Sequence, residues 1–272
     1  VGESGSGKSV TNLSVIKLIQ TPPGKIEGGE VLFNGEDLLK MSDARLREIR
    51  GDRIAMIFQD PMSSLNPYLR ISTQMIETIC LHQGLNKKAA KEKAIEMLKL
   101  TGIPAAEKRI DGYPHQFSGG MRQRVMIAMG LSCNPDILIA DEPTSALDVT
   151  IQAQILDLMQ DLTHRLGTAV ILITHSLGVV AGVCDTIVVM YAGRIVERGT
   201  TEDIFYDTKH PYTQGLIKSV PRLDRDDEDR LFSIEGQPPN VVDLPDCCPF
   251  YPRCHKALPV CKNRYPPVVR FF

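Results

Sequence analysis

The chain has 272 residues, of which 43% are hydrophobic and 24% charged, and its 31 Lys and Arg residues nearly balance its 33 Asp and Glu residues. This composition is typical of a folded globular protein, so it excludes a disordered chain and a small disulfide-stapled domain, and its near-neutrality argues against a protein that wraps nucleic acid. No apolar run reaches the roughly 20 residues that a bilayer crossing needs, so we predict that the chain does not span a membrane by itself.

The chain begins on a glycine-rich segment, Gly2–Ser9, that fits the phosphate-binding pattern G-x-x-x-x-G-K-[ST]. In such a loop backbone amides surround phosphate oxygens, Lys8 reaches the terminal phosphates and the Ser9 hydroxyl holds Mg²⁺. The predicted nucleotide-binding residues are Gly2, Ser4, Gly5, Ser6, Gly7, Lys8, Ser9 and Val10. A loop of this kind follows a buried strand, of which Val1 is present, so we expect an upstream strand in the full-length protein. Apolar spacing predicts a helix after the loop that ends at Pro22-Pro23.

Residues 30–60 are predicted to form a strand, a turn at Asn34-Gly35, a helix and a second strand over Arg53–Gln59. From about Pro67 to Leu131 apolar residues recur at helical spacing, which predicts a helical insert within an α/β domain. Within this insert Ser118-Gly119-Gly120 precedes a helix, and such a helix N-terminus is a second anion site. The alternative is a helix that Ser118 simply caps.

Two runs, Ile137–Ala140 and Ala169–Ile173, are continuously apolar and predict strands that are buried on both faces of a parallel sheet. Polar residues follow each run, and open α/β sheets bind ligands at the carboxyl ends of their strands. We predict that Asp141 holds the nucleotide's Mg²⁺ through water, and that Glu142 orients the attacking water or accepts its proton. His175 is predicted to contact the γ-phosphate or to hold that base in position.

Gln59 also ends an apolar strand, and its amide can bind both Mg²⁺ and water. The predicted catalytic residues are Glu142, His175 and Gln59, and the predicted magnesium ligands are Ser9, Gln59 and Asp141. Each has a structural alternative when taken alone: a loop amide for Gln59, a helix cap or turn residue for Asp141 and a structural histidine for His175. Further along, Ile187–Tyr191 and Arg194–Glu197 predict a hairpin.

In chain order these motifs resemble the full set of an ABC transporter ATPase. They are Walker A (Gly2–Ser9), the Q-loop (Gln59), the signature (Ser118-Gly119-Gly120), Walker B (Ile137–Glu142), the D-loop (Ser145–Asp148) and the H-switch (His175). The resemblance implies an α/β P-loop NTPase fold with a helical subdomain and a small C-terminal extension that contains cysteines. It implies an ATPase core over residues 1–66 and 132–200, the helical subdomain over 67–131 and the extension over 201–272.

The same resemblance implies a head-to-tail dimer with ATP between one subunit's Walker A and its partner's signature, so that Ser118, Gly119 and Gly120 act in trans. Two features depart from the family pattern. Ser176 follows the switch histidine where the family usually has Asp. The aromatic residue that stacks on adenine in the family lies upstream of Walker A and is absent from this chain.

Longer segments are similar to the D-type ATPase subunit of dipeptide and oligopeptide importers. They are Gly2–Thr11, Phe58–Pro67, Ser118–Met129, His210–Thr213 and Ile234–Pro239. The similarity implies ATP and Mg²⁺ as cofactors and a peripheral location at the cytoplasmic face of the cell membrane. The implied partners are a second ATPase subunit, identical or paralogous, two transmembrane permease subunits and, indirectly, an extracytoplasmic solute-binding protein, with no nucleic acid. Nickel importers of the same branch and soluble non-transport ABC ATPases are the alternatives.

Four cysteines crowd into one short tail: Cys247, Cys248, Cys254 and Cys261. Their spacing resembles the C-x₅-C-x₆-C tail of this subfamily, some of whose members carry a [4Fe-4S] cluster. The resemblance implies Cys248, Cys254 and Cys261 as cluster ligands. A cluster is held by four thiolates, so the fourth ligand would be Cys247 or a residue beyond Phe272. Zinc, or thiols without metal, are the alternatives.

Overall fold

The computed structural model describes residues 1–60, 64–145, 147–220, 233–242, 244 and 246–270. These residues form two compact units. The smaller unit comprises Val1–Thr11 and Thr174–Phe272, and the larger unit comprises Asn12–Ile173. Parts of two sequence motifs, Pro61-Met62-Ser63 after the Q-loop and Ala146 in the D-loop, lie outside the described residues. The predicted boundaries at residues 66, 131 and 200 stay a prediction.

Helix α1 spans Lys8–Val15 and ends earlier than the predicted stop at Pro22-Pro23. Beyond it Lys17 takes a left-handed φ of 49°, and the Leu18 amide donates to the Leu13 carbonyl at 2.8 Å. This is the closing pattern of a Schellman motif, which ends a helix by satisfying its last carbonyls. The predicted boundary was wrong because apolar spacing does not reveal a left-handed residue.

The larger unit is built on a parallel sheet whose three described strands lie in the order β3-β4-β5. A short antiparallel hairpin, β1-β2, precedes them and turns at Asn34-Gly35, as predicted. In register, Ile54 pairs with Ile137, and Ile137 with Ala169. The strand bounds are β1 Leu32–Phe33, β2 Glu36–Asp37, β3 Ile54–Ile57, β4 Ile137–Asp141 and β5 Ala169–Ile173.

The predicted burial of β4 is confirmed, but that of β5 was wrong. Leu138 and Ile139 in β4 are 0% and 1% exposed, whereas Val170 and Ile171 in β5 are 38% and 40% exposed. The reason is position, because β4 has a described neighbour on each side and β5 pairs only with β4 among the described strands. A continuous apolar run therefore identified a strand of a parallel sheet without showing how deeply that strand lies.

The predicted run of helices is present in the larger unit. Its bounds are α2 Asp43–Ile49, α3 Ile71–Gln83, α4 Lys87–Leu100, α5 Ala106–Arg109, α6 Gly119–Leu131 and α7 Val149–Leu166. Asn86 caps α4 by accepting from the Ala89 amide at 3.0 Å, and Gly84 ends α3 in a left-handed conformation. Fully buried side chains such as Ile79, Leu98 and Ile127 pack α3 to α7 into one core, whereas α2 buries Leu46 and Ile49 in a separate cluster.

The smaller unit contains the predicted hairpin, β6 and β7, which turns at Ala192-Gly193 with both residues at positive φ. Its bounds are α8 Leu177–Val180, β6 Thr186–Tyr191, β7 Arg194–Thr200, α9 Thr201–Tyr206 and α10 Pro211–Lys218. Its core includes three aromatic rings, Tyr191, Tyr212 and Phe250, which are at most 3% exposed and lie with centroids 4.6–5.4 Å apart. The rings meet in tilted and edge-on arrangements, and edge-on pairs at this distance stabilise each other beyond their buried area.

Candidate active site

The phosphate-binding loop lies in the smaller unit and runs directly into α1. Lys8 is 7% exposed, and its ammonium donates to the carbonyl oxygens of Gly2 at 2.7 Å and Glu3 at 2.9 Å. Gly7 has a φ of +96°, which favours glycine, and a Cβ at Gly2 would collide with the Met190 carbonyl oxygen. The loop therefore curls around the lysine that is predicted to meet the phosphates.

The β6-β7 hairpin supports this loop through backbone hydrogen bonds. The Gly193 amide donates to the Ser6 carbonyl at 2.9 Å, and the Met190 amide donates to the Val1 carbonyl at 2.8 Å. Met190 also lies at a register shift in the hairpin. Irregular pairing of this kind is common beside active sites, because it redirects backbone groups out of the ladder. Among the other predicted loop residues, Ser4, Gly5 and Val10 are exposed and Ser9 is half-buried.

In the larger unit three predicted residues lie at the carboxyl ends of β3 and β4. Asp141 is the last residue of β4 and is 4% exposed. Burying a carboxylate is costly unless a cation or hydrogen bonds compensate its charge, and a carboxylate suits Mg²⁺. The Gln59 amide nitrogen donates to a Glu142 carboxylate oxygen at 3.0 Å. The structure thus brings together Gln59 and Glu142, two of the three predicted catalytic residues.

The backbone of Glu142 is held in an unusual conformation. Its φ of 44° lies in the left-handed region, which costs a residue with a side chain roughly 1–2 kcal/mol. Its amide donates to the Ile173 carbonyl at 2.9 Å, and its carbonyl accepts from the Ser145 amide at 3.2 Å and hydroxyl at 3.1 Å. Such backbone strain persists where the surroundings enforce it and is common at functional sites. The backbone therefore fixes the direction of the Cα–Cβ bond of the residue that is predicted to act as base.

His175 follows β5, lies in the smaller unit and is exposed. The next residue, Ser176, donates its amide to the Thr174 hydroxyl at 3.1 Å. The role of His175 stays a prediction.

The signature residues begin helix α6. The Ser118 hydroxyl accepts from the Met121 amide at 3.3 Å, so Ser118 is an N-cap. A Cβ at Gly120 would lie 3.1 Å from Ile151, so packing within the chain favours glycine there. Gly119 differs, since it is exposed and a Cβ there would lie at an ordinary 3.8 Å from Leu147, its nearest described neighbour. Packing among the described residues therefore does not explain why position 119 is glycine.

The cysteine tail does not assemble a metal site in the described residues. Cys247, Cys248, Cys254 and Cys261 are half-buried free thiols, and the Cys248 amide donates to the Cys261 carbonyl at 3.2 Å. Burial raises the pKa of the Cys248 thiol, which favours the protonated form. Within the described ranges no three Cys, His, Asp or Glu side chains are grouped so that they could hold a metal ion. The arrangement therefore does not fit a [4Fe-4S] cluster.

Arg253 is among the residues that contact the phosphate-binding loop and that the sequence did not point to. Its guanidinium makes a two-pronged ion pair with Glu3 at 2.8 and 3.0 Å. The available signal was the charge of Glu3, because a carboxylate within an anion-binding loop calls for a nearby cation. The partner lies 250 residues away along the chain, so spacing could not identify it.

None of the helices in the described residues combines the length and the apolar character that a membrane span requires.

Comparison with known proteins identifies the family. The ABC transporter family matches residues 1–145, and the C-terminal region of oligopeptide/dipeptide transporters matches residues 196–261. The oligopeptide transport ATP-binding protein OppD of Bacillus subtilis (strain 168) is 53% identical over 99% of this chain and 75% of its own length. The dipeptide transport ATP-binding protein DppD of the same organism is 53% identical over 98% of this chain and 79% of its own length.

A solved structure agrees with these relatives. MJ0796, an ATP-binding cassette solved as a dimer in a post-hydrolysis state bound to ADP and Pi, is similar with a TM-score of 0.63 and 29% identity. The match covers 74% of this chain and 83% of that one. The predicted P-loop NTPase fold is thus confirmed. The chain belongs to the ABC transporter family as an ATP-hydrolysing cassette, in the branch that carries the oligopeptide and dipeptide transporter C-terminal region.

Proposed function

We propose that this chain hydrolyses ATP to drive the import of dipeptides or oligopeptides. The observation that carries this proposal is that one chain joins an ABC ATPase region to the transporter-specific region over residues 196–261. Relatives named for oligopeptide and dipeptide transport match nearly the whole chain at 53% identity. A soluble ABC ATPase outside transport has no need of the second region.

The phosphate-binding loop binds ATP. Lys8 exchanges its present bonds to the Gly2 and Glu3 carbonyls for contacts with phosphate oxygens, and α1 directs the positive end of its dipole toward the anion. Ser9 and Gln59 would hold Mg²⁺ through oxygen atoms, and Asp141 would hold it through water. The ion would supply positive charge that compensates the phosphates.

Glu142 acts as the base that accepts a proton from the attacking water. The hydrogen bond from Gln59 and the strained backbone at φ 44° both restrict where its carboxylate can point. Orientation of a base in this way contributes to the rate because proton transfer requires hydrogen-bond contact with the reacting water. His175 contacts the γ-phosphate or holds this base.

The signature acts on the nucleotide of a partner subunit. Gly119 supports this part of the proposal, because the described residues leave space for a side chain there and yet the position is glycine. A phosphate that approaches the α6 N-terminus from a second subunit accounts for this choice. MJ0796 was itself solved as a dimer. The second subunit is another copy of this chain or a paralogue.

The remaining partners follow from the family. The chain lies at the cytoplasmic face of the cell membrane and couples hydrolysis to two transmembrane permease subunits, which receive peptide from an extracytoplasmic binding protein. Iron and acid-labile sulfide analysis of anaerobically purified protein decides between a cluster, zinc and plain thiols at the cysteine tail.

The test is co-purification followed by reconstitution. The chain, co-expressed with its neighbouring permease subunits, is reconstituted into vesicles with the peptide-binding protein, and ATP hydrolysis is measured with and without a mixture of di- and oligopeptides. We expect peptides to stimulate hydrolysis, and the Glu142→Gln variant to lose about 10²–10⁴ of both basal and stimulated turnover. Stimulation by nickel chelates and not by peptides would contradict the substrate assignment.

A further inference from the structure

One ion pair links the C-terminal segment to the phosphate-binding loop. The Arg253 guanidinium donates from Nη1 to Glu3 Oε2 at 2.8 Å and from Nη2 to Glu3 Oε1 at 3.0 Å. The two side chains are 5% and 27% exposed, so the pair is largely shielded from water. Paired, two-pronged geometry of this kind is the strongest form of an Arg–carboxylate contact and fixes direction as well as distance.

Groups outside the loop set the position of Arg253. Its Nε donates to the Glu235 carbonyl at 3.0 Å and its Nη2 to the Ile234 carbonyl at 3.2 Å. Its Nη1 donates to the Tyr191 hydroxyl at 3.3 Å. The guanidinium is therefore held in place by the β6-β7 hairpin and by a segment more than 200 residues beyond the loop, rather than by the loop itself.

Glu3 occupies an unfavourable place for a carboxylate. It lies inside a loop that binds a polyanion, and an uncompensated negative charge there repels the triphosphate. The rest of the residue is also constrained, since its amide donates to the Tyr212 hydroxyl at 2.9 Å and its carbonyl accepts from the Lys8 ammonium at 2.9 Å. A displacement of Glu3 would thus move an anchor of the phosphate-binding lysine.

We propose that Arg253 is a positioning residue for ATP binding, which neutralises the Glu3 carboxylate and holds it away from the phosphates. The C-terminal region thereby completes the ATP site of its own chain. This inference rests on the proposed function, because it takes the loop to be the ATP site.

The test measures KM and kcat for MgATP in the permease complex that contains the full chain. Arg253→Gln should raise KM about tenfold and leave kcat within about twofold, because it removes a charged hydrogen-bond partner from binding and not from chemistry. Adding Glu3→Gln to that variant should bring KM back to near the parent value, since the repelling charge is then gone. Arg253→Lys, which keeps the charge, should raise KM less than Arg253→Gln does.

Arg194 provides a matched control. Its guanidinium lies 4.2 Å from the Tyr265 ring centroid, so it also contacts the C-terminal segment but has no described contact with the loop. Arg194→Gln should leave KM unchanged. The inference is overturned if Arg253→Gln raises KM no more than Arg194→Gln does, or if Glu3→Gln fails to restore it. A parent complex that hydrolyses no MgATP would overturn the proposed function, and the inference with it.

Discussion

The two helix N-termini that are predicted to meet phosphate, before α1 and before α6, are built differently. The first, before α1, has a buried lysine and is supported by the β6-β7 hairpin, Tyr212 and Arg253. The second, before α6, has a serine cap and an exposed glycine. Both offer backbone amides, but the first also supplies a positive charge. We infer from this difference that the first terminus should bind nucleotide within its own chain, and that the second should contribute only when a partner presents a nucleotide.

The largest effect on hydrolysis is expected from a variant that blocks the chemical step and leaves both helix N-termini intact. Glu142→Gln should lower kcat by about 10²–10⁴ and leave the affinity for MgATP near that of the parent, because it removes a general base and no phosphate contact. The bound dimer should then accumulate, which size-exclusion chromatography with MgATP can measure. Hydrolysis at the parent rate would mean that Glu142 is not the base.

Removing the lysine tests the first terminus directly. Lys8→Ala should lower hydrolysis by about 10²–10³, because it deletes the charged donor that the loop encloses. Unlike Glu142→Gln, it should also weaken MgATP binding, which isothermal titration calorimetry measures. A Lys8→Ala variant that binds MgATP as tightly as Glu142→Gln would contradict the account of the first terminus.

The proposed anion site at the N-terminus of α6 can be disrupted without destabilising that helix. Gly119→Asp places a negative charge in the first turn of α6, which should stabilise that helix by about 0.3–1 kcal/mol. Hydrolysis should nevertheless fall by roughly 10²-fold, because the carboxylate repels the partner's nucleotide. Thermal unfolding and hydrolysis are measured together.

Gly28→Asp is the control for charge, since Gly28 is exposed and no described residue beyond its chain neighbours lies within 4 Å of a Cβ built there. This variant should hydrolyse ATP at the parent rate. If Gly119→Asp did the same, the signature would have no contact with nucleotide.

The smallest effect concerns pH and the helix that supports the first terminus through Tyr212. His210 caps α10, the helix that carries Tyr212, by accepting from the Tyr212 amide at Nδ1, 3.1 Å away. Burial lowers the pKa of His210, and the nearby Glu197 carboxylate opposes this shift. The neutral form is thus favoured in the folded state, so its contribution to stability is present above a pH of about 6.5 and is lost as pH falls below it.

His210→Asn keeps a capping acceptor but does not titrate. On acidification from pH 7.5 to 5.5, the parent should lose more of its thermal stability than this variant does. Equal losses in the two proteins would assign the pH dependence to other groups.

The sequence predicted best those features that are local. The strand at Ile137, the turn at Asn34-Gly35 and the cap at Ser118 each depend on neighbouring residues, and the structure contains all of them. The position of a strand in the sheet depends on residues that are distant in the sequence. For this reason the sequence did not predict that Val170 in β5 is exposed. An apolar pattern predicts a strand, but it does not show which other strands lie beside it.

The candidate active site shows the same difference between local and long-range features. Lys8 and Asp141 belong to short motifs whose chemistry is visible in the residues themselves, and Gln59 meets Glu142 because both follow strands of a parallel sheet. The Arg253–Glu3 ion pair joins positions 250 residues apart, and no motif links them. Cysteine spacing indicated a metal site that the described thiols do not assemble. The spacing of the cysteines shows that ligands are available, whereas the path of the backbone determines whether those ligands come close together.

When two copies of this chain pair, the helix N-terminus before α1 of each copy should meet the helix N-terminus before α6 of its partner. Mixing the Lys8→Ala and Gly119→Asp variants tests it, because a mixed dimer then has one site with both defects and one with neither. With random pairing, about a quarter of the sites should be intact, so hydrolysis should rise to roughly that fraction of the parent rate. A mixture as inactive as each variant alone would contradict the claim.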